Sequence, residues 1–253
     1  MKNNIIESKD NAQLKKIRKL RQKKYRYKER KFVIESKKLL IEALENGVDI
    51  DFILVRQDVS DDFDGYDLKI CSPDIFNSIS QMVSPDGYLA VANFPDVHVG
   101  ASDRILLLDH ISDPGNLGTI IRSAEAFSFN TIYLLNTVDP YNEKTLRASM
   151  GSIFRLKLVD LAQEDLGNLA EKYTFYIGDM KGKDYKKEAF AGPVCLIIGN
   201  EANGISDEIR KLADKAIKIP MSGRIESLNA AISASILMSE IQSKKSNLLE
   251  GLD

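Results

Sequence analysis

Apolar positions recur along this chain in short blocks separated by polar turns, and their period changes from one block to the next. In the segment LKKIRKLRQKKYRYKERKF, Leu14, Ile17 and Leu20 recur at helical spacing among cations, which predicts a helix with a narrow apolar face and a strongly positive outer one. From Phe32 to about Asn93 the pattern is compact α/β. A helix is expected over SKKLLIEALENG with Gly47 as its stop, strands at DFILVR and DLKICS, a proline-initiated helix at SPDIFNSIS and a strand at YLAVANF. PDVHVGASD reads as a linker. Beyond it, RILLLDH, TIYLLN, FRLKLVD, TFYIGD and VCLIIGN are runs short enough for buried strands, with helical stretches between them. That alternation predicts an α/β fold with a mostly parallel sheet covered on both faces, whose ligands lie beyond the carboxyl ends of the strands. The expected organisation is a basic helical arm over residues 1–31, a smaller N-terminal α/β domain over 32–95, a linker over 96–102 and a larger α/β domain over 103–246.

Composition narrows the class. With 253 residues, 43% hydrophobic and 28% charged, the chain has globular composition and room for a sizeable core. No apolar run approaches the roughly 18 residues of a membrane span, and MKNNIIESKD lacks the layout of a secretory signal. A cytoplasmic, reducing location is therefore expected. Cys71 and Cys195 lie far apart without ligand-like spacing, and His98 and His110 are the two histidines, so neither a disulfide framework nor a metal site is expected. The absence of any GxxxxGK[ST] string argues against a P-loop nucleotide hydrolase.

The net charge of −2 hides an asymmetry: residues 1–38 hold 15 Lys and Arg against 4 Asp and Glu, and the remainder 20 against 33. Lys15, Lys16, Arg18, Lys19, Arg21, Lys23, Lys24 and Arg26, interleaved with Tyr25 and Tyr27 and followed by Phe32, admit two readings. One is a solvated helical face. The other is an RNA-binding surface, where cations displace counterions from phosphates and tyrosines stack on unpaired bases.

Three strand-to-turn junctions carry chemistry. In DHISDPGNLGTIIRSAEAF a strand ends, a turn with Gly115 and Gly118 follows, and a helix begins near Asn116; Arg122 then sits among Ile120, Ile121 and Ala124. An arginine in an apolar stretch asks for a partner, either a carboxylate of its own fold or a ligand. VCLIIGNEANGIS ends a buried strand in a G-x-E-x-x-G turn. Glu201 replaces the middle glycine of a dinucleotide fingerprint there, which disfavours a nucleotide-cofactor oxidoreductase. IKIPMSGRIESLNAAISASILMSEI gives a strand, a turn, and a helix whose first turn contains Ser227, Leu228 and Asn229; the small residues that follow permit close packing.

GNLGTIIRSAEAF, IIGNEANG and IPMSGRIESLNAAISASILMSE, in this order and spacing, resemble the three motifs of the SpoU (TrmH) family of RNA ribose 2′-O-methyltransferases in the SPOUT superfamily. YNEKTLRASMGSIFRL resembles the stretch between the first two motifs, and KFVIESKKLLIEAL the start of the family's accessory RNA substrate-binding domain, so the likeness spans about residues 12–245. Ser36 stands where Gly is common in that domain, and Ser128 where Gly often follows the first-motif helix. The resemblance implies a C-terminal trefoil knot and a homodimer, with the small-residue helix after Asn229 as a dimer surface. It also implies S-adenosyl-L-methionine held near Gly199, Ile219, Met221 and Leu228. By the same resemblance Arg122 binds the substrate phosphate and helps activate the 2′-hydroxyl, with Asn116, Glu201, Ser227 and Asn229 orienting it, the ribose or the first-motif loop. Glu201 is expected to supply the carboxylate partner of Arg122. The implied substrate is RNA, ribosomal in preference to transfer RNA. A catalytically silent RNA-binding or ribosome-assembly protein is the alternative, in which the basic arm and accessory domain do the work.

Overall fold

The computed structural model describes the backbone of residues 5–60, 62–225 and 227–250 and the side chains of these up to residue 245. Residues 1–4 of the expected arm, and the side chain that ends the expected second domain at 246, lie outside this description. In chain order the elements are β1 (Ile5–Ile6), α1 (Ala12–Leu20), α2 (Lys23–Glu29), β2 (Lys31–Glu35), α3 (Lys37–Glu45), β3 (Ile50–Arg56), β4 (Leu68–Cys71), α4 (Pro73–Asn77), β5 (Tyr88–Asn93), β6 (Arg104–Asp109), α5 (Pro114–Ala126), β7 (Thr131–Leu135), α6 (Glu143–Ser149), β8 (Lys157–Asp160), α7 (Leu166–Ala170), β9 (Thr174–Asp184), β10 (Val194–Ile198), α8 (Asp207–Leu212), β11 (Lys215–Lys218) and α9 (Ala230–Glu250). They form two compact units: Met1–Asp96 with Asp139–Phe154, and Val97–Val138 with Arg155–Asp253.

The first unit is a mixed five-stranded sheet in the order β1-β4-β3-β5-β2. Its basic segment is not a free arm. Leu14, Ile17 and Leu20 are fully buried in one core with Val33, Phe52, Leu54, Phe76 and Val91, and burial of such a side chain stabilises by about 1.5–3 kcal/mol each. Two helices replace the expected one, because α1 ends at Leu20 and Gln22 starts α2. Tyr27, read from sequence as a base-stacking aromatic, meets Phe94 edge-on at 5.4 Å, and Phe32 is fully buried.

Residues 139–154, expected within the second domain, group with this unit instead. Tyr141 stacks on Phe94 at 4.1 Å between ring centroids and lies 5.2 Å from Phe32; Phe154 lies 6.2 Å from Phe32. Buried charge pairs add to this. Arg26, 5% exposed, donates from Nε to Asp139 Oδ2 at 2.7 Å and from Nη1 to the Leu20 carbonyl at 2.7 Å. Arg21 Nη1 donates to both Glu143 oxygens at 2.7 and 2.6 Å.

The second unit is a six-stranded sheet in the order β11-β9-β10-β6-β7-β8, parallel throughout. Strands β6 and β10 are central and read as continuous apolar runs, as burial on both faces requires. FRLKLVD differs from the expected buried strand: its structured part, β8, is a half-exposed edge strand. After β11 at the opposite edge the chain returns through α9, which packs on α5 and against β10. Ala231 and Ala234 are buried, and the Ser123 and Ser235 hydroxyls meet at 2.8 Å. The small-residue face expected at a dimer surface therefore serves contact within the chain; on the same helix Ile232 is exposed.

Both serines that replace the family's glycines stand at positive φ, Ser36 at 130° and Ser128 at 60°. These are backbone conformations that glycine adopts without steric cost. Ser36 offsets part of its strain by capping α3, its hydroxyl accepting from the Leu39 amide at 3.3 Å.

Candidate active site

Three loops that follow β6, β10 and β11 are joined by side-chain hydrogen bonds. Asp113 caps α5 through the Asn116 amide at 2.8 Å, which fixes Asn116 in the first turn of that helix. Asn116 Nδ2 donates to Glu201 Oε1 at 2.8 Å, and Asn229 Nδ2 donates to Asn116 Oδ1 at 2.9 Å. One residue from each of the three motifs thus forms a continuous chain. Asn229 precedes α9 instead of lying within its first turn; its Oδ1 accepts from the Ala231 and Ile232 amides at 2.9 and 3.3 Å. The capping preference of Asn explains why the helix starts at Ala230, three residues after Ser227, with which it was expected to begin.

Glu201 also accepts from the Ser112 hydroxyl at 3.1 Å. Burial alone would raise its carboxyl, but the bonds from Asn116, its own amide and Ser112 outweigh this and hold it below the ordinary carboxylate value. Glu201 is therefore an anion at neutral pH whose oxygens are occupied by neutral donors. It does not pair with Arg122, contrary to expectation. Arg122 is exposed, on the outer stripe of α5 with Thr119 and Ala126, while Ile120, Ile121 and Ala124 face the core. The helical period explains the correction: at about 100° per residue, Ile121 lies about 100° and Ile120 and Ala124 about 200° from Arg122 around the axis. Among the described residues its guanidinium has no hydrogen-bond or ion-pair partner.

Beside Glu201 opens a cavity of about 400 Å³, within the range of small-molecule sites. Gly199, Ile219, Met221, Leu228, Ser227 and Glu201 all line it. Asn116, Asn229 and Arg122 do not, although the first two reach it through Glu201. The opposite wall was not foreseen from sequence: Gly178, Asp179 and Met180, in β9, also face the cavity. The TFYIGD run carried the signal, since ligands of parallel sheets gather at strand ends. The Asp179 carboxyl is held below its ordinary value, first by the Lys181 amide and then by Arg210. Gly199 has a different reason from the expected approach of a ligand. Asn200 and Gly204 exchange backbone hydrogen bonds at 3.0 and 2.9 Å, and a Cβ on Gly199 would collide with the Gly204 backbone.

The basic residues divide. Lys15, Lys19, Lys23 and Lys24 are exposed. Lys16, Arg21 and Arg26 are corrected as RNA contacts: Lys16 bonds Asp51 at 2.5 Å, Arg21 bonds Glu143, and Arg26 is buried on Asp139. Arg18 donates to the Lys9 carbonyl at 2.7 Å. Among the described residues no helix is long and apolar enough to cross a membrane.

Comparison with known sequences accords with this arrangement. Residues 103–239 match the SpoU rRNA Methylase family, and residues 11–90 match the MRM3-like substrate binding domain. The chain belongs to the SpoU rRNA methylase family. Among its SpoU relatives, the 23S rRNA (guanosine(2553)-2'-O)-methyltransferase RlmP of Bacillus subtilis (strain 168) is 32% identical over 243 residues, covering 92% of this chain and 97% of that protein. The AdoMet-bound rRNA methyltransferase from Sinorhizobium meliloti superposes with a TM-score of 0.83 at 30% identity, over 94% of this chain and 97% of that one. The SpoU methyltransferase AviRb from Streptomyces viridochromogenes, in complex with AdoMet, gives 0.85 at 25% identity over 93% and 98%. The fold is accordingly the SPOUT fold, an α/β architecture with a trefoil-knotted parallel sheet. The cavity residues fit S-adenosylmethionine: Ile198, Ile219, Met221 and Leu228 give apolar walls for an adenine face, the anion Glu201 complements a sulfonium, and Lys181 and Lys218 suit its carboxylate, while Asp179 is paired with Arg210.

Proposed function

We propose that this SpoU methylase transfers a methyl group from S-adenosylmethionine to a ribose 2′-hydroxyl of ribosomal RNA in the cytoplasm. The observation that carries the reading is the hydrogen-bonded chain Asn229–Asn116–Glu201 beside a cavity of cofactor size. S-adenosylmethionine, when bound, supplies a sulfonium methyl open to in-line attack by an oxygen nucleophile. Gly199, Ile219, Met221 and Leu228 hold it, with Gly178 to Met180 on the facing wall.

The chain's own part is to orient the ribose and stabilise charge as O2′ gives up its proton to solvent water. A ribose hydroxyl is too weak an acid to react unaided near neutral pH. Arg122, exposed and unpartnered among the described residues, binds the substrate phosphate and the developing negative charge on O2′. A guanidinium keeps its proton at these pH values, so Arg122 acts electrostatically and not as a base. Glu201, Asn116 and Asn229 lock the three loops, and Ser227 at the cavity wall would orient the ribose. The exposed Lys15, Lys19, Lys23 and Lys24 add sequence-independent affinity for RNA. The exposed apolar side chains Ile225 and Ile232 are candidates for the contact through which two copies pair as a homodimer.

The test is transfer of a labelled methyl from S-adenosylmethionine to unmodified ribosomal RNA, transfer RNA and ribosomal subunits, with Arg122→Ala as control. Label on a ribose 2′-oxygen of ribosomal RNA in the wild-type reaction alone is the expected result. Label on transfer RNA instead would move the substrate, and RNA binding without cofactor binding would overturn the enzymatic reading.

A further inference from the structure

We propose that a second cleft, on the far side of the Asn200–Gly204 turn from the cofactor cavity, binds the base of the nucleotide whose ribose is methylated. The inference rests on the RNA-methylation reading above and adds the site that reads the target. The cleft has a volume of about 610 Å³ and shares Asn200, Asn203, Gly204 and Ile205 with the cofactor cavity. Its other wall comes from the loops after β6 and β7, including His110, Ser112, Asn136 and Thr137. Ser112 is also bonded to Glu201, so this cleft and the cofactor cavity border the same hydrogen-bonded group. A nucleotide with its ribose at Glu201 therefore has one neighbouring cavity filled by cofactor and this one left for its base.

The lining has the chemistry of a nucleobase site. Among the described residues no Lys, Arg, Asp or Glu lines the cleft, while neutral amides and hydroxyls beside Ile111, Val138 and Ile205 suit a flat polar ring. Several of the polar groups are already committed: Thr137 Oγ1 donates to the Leu108 carbonyl at 3.1 Å, and Asn200 Nδ2 to the His110 carbonyl at 2.8 Å. Others are open. Among the described residues the side-chain amides of Asn136 and Asn203 have no hydrogen-bond partner, and the Ser206 hydroxyl is buried without one. His110 bonds the fully buried Asp109 through Nδ1 at 2.6 Å, leaving Nε2 for another partner.

Backbone strain marks the same place. His110 and Asn136 directly follow the paired residues Asp109 and Leu135 at the carboxyl ends of neighbouring strands, and both have positive φ, 59° and 49°. Two non-glycine residues held side by side in this conformation carry a local cost that stability alone does not explain. A pocket with unused hydrogen-bonding groups offsets part of the cost of drawing a nucleotide out of its stack.

Asn136→Gly tests this directly, because glycine keeps the positive φ and removes the amide. Two readouts are combined on the full-length protein. Steady-state methylation uses the RNA substrate and transcripts with the target base exchanged. The imidazole signals of the two histidines are followed by NMR while guanosine or uridine monophosphate is added with S-adenosylhomocysteine present, His110→Asn assigning the His110 signal. The expected result is a KM for RNA raised about tenfold, weakened discrimination between target bases, cofactor affinity within about twofold of wild type, and a nucleotide-induced shift of His110 that the variant loses. Unchanged KM and base choice with no His110 shift would overturn the base site. A His110 shift in a protein that methylates no RNA would support the base site and overturn the methyl-transfer reading instead.

Discussion

Both compact units pair arginines with carboxylates, Arg155 with Glu125 and Arg210 with Asp179 in the second, and Arg122 departs from that pattern. In the first, a segment dense in cations directs Arg21 and Arg26 inward to Glu143 and Asp139, and the half-buried Lys16 to Asp51. In the second, which is less basic in sequence, Arg122 stands exposed with no hydrogen-bond or ion-pair partner among the described residues, on the helix that begins beside a group of polar side chains that bond one another. Density of charge along the chain thus says little about where charge is available to a ligand. What decides is whether the fold supplies a carboxylate.

The strongest way to break this comparison is to remove one arginine from each side. Arg122→Ala is expected to lower kcat for methyl transfer by about 10²–10³-fold or more, with cofactor affinity and unfolding midpoint near wild type. Loss of cofactor affinity in that variant would assign Arg122 to the cofactor cavity instead. Arg26→Ala is expected to destabilise the protein by about 3–5 kcal/mol in denaturant titration, because it leaves Asp139 buried and unpaired. Replacing both partners, Arg26→Met with Asp139→Leu, should recover most of that loss. Retained stability with weakened RNA binding in Arg26→Ala would return Arg26 to the RNA surface.

Smaller effects sharpen the picture. Ser128→Gly in the second unit is expected to raise stability by about 1 kcal/mol, since it relieves a left-handed conformation. Ser36→Gly in the first unit should gain less, because the α3 cap is lost with the strain. Thermal melts of the two single variants separate these contributions. Lys15→Ala, Lys19→Ala and Lys24→Ala should each leave folding unchanged and reduce the slope of log affinity for RNA against log salt by about one. Lys16→Ala, whose ammonium is held by Asp51, should change that slope less than any of the three.

Much of the fold was legible in advance because its signals are local. Ser72 and Pro73 mark the start of α4, Gly47 with φ 70° the stop of α3, and the apolar runs of β6 and β10 their central place in a parallel sheet. The motif residues were legible as a set, and Asn116, Glu201 and Asn229 do meet. Their partners were not, since the pattern around Arg122 looked apolar in sequence while the helix turns that position outward. The β9 wall of the cavity was missed because Gly178 to Met180 lie within a strand that runs on to Asp184, without the turn that flags the other junctions.

By itself the sequence determined which segments are helices and strands, that the second half forms a parallel sheet, and which three loops carry polar residues. Those properties depend on period, caps and turn residues a few positions apart. Tertiary structure alone decided which charges are matched and which are free: Arg26 and Asp139 are separated by 113 residues, Arg21 and Glu143 by 122. Ion pairing acts through space and not along the chain, so no local pattern reveals it until the sheet brings the segments together.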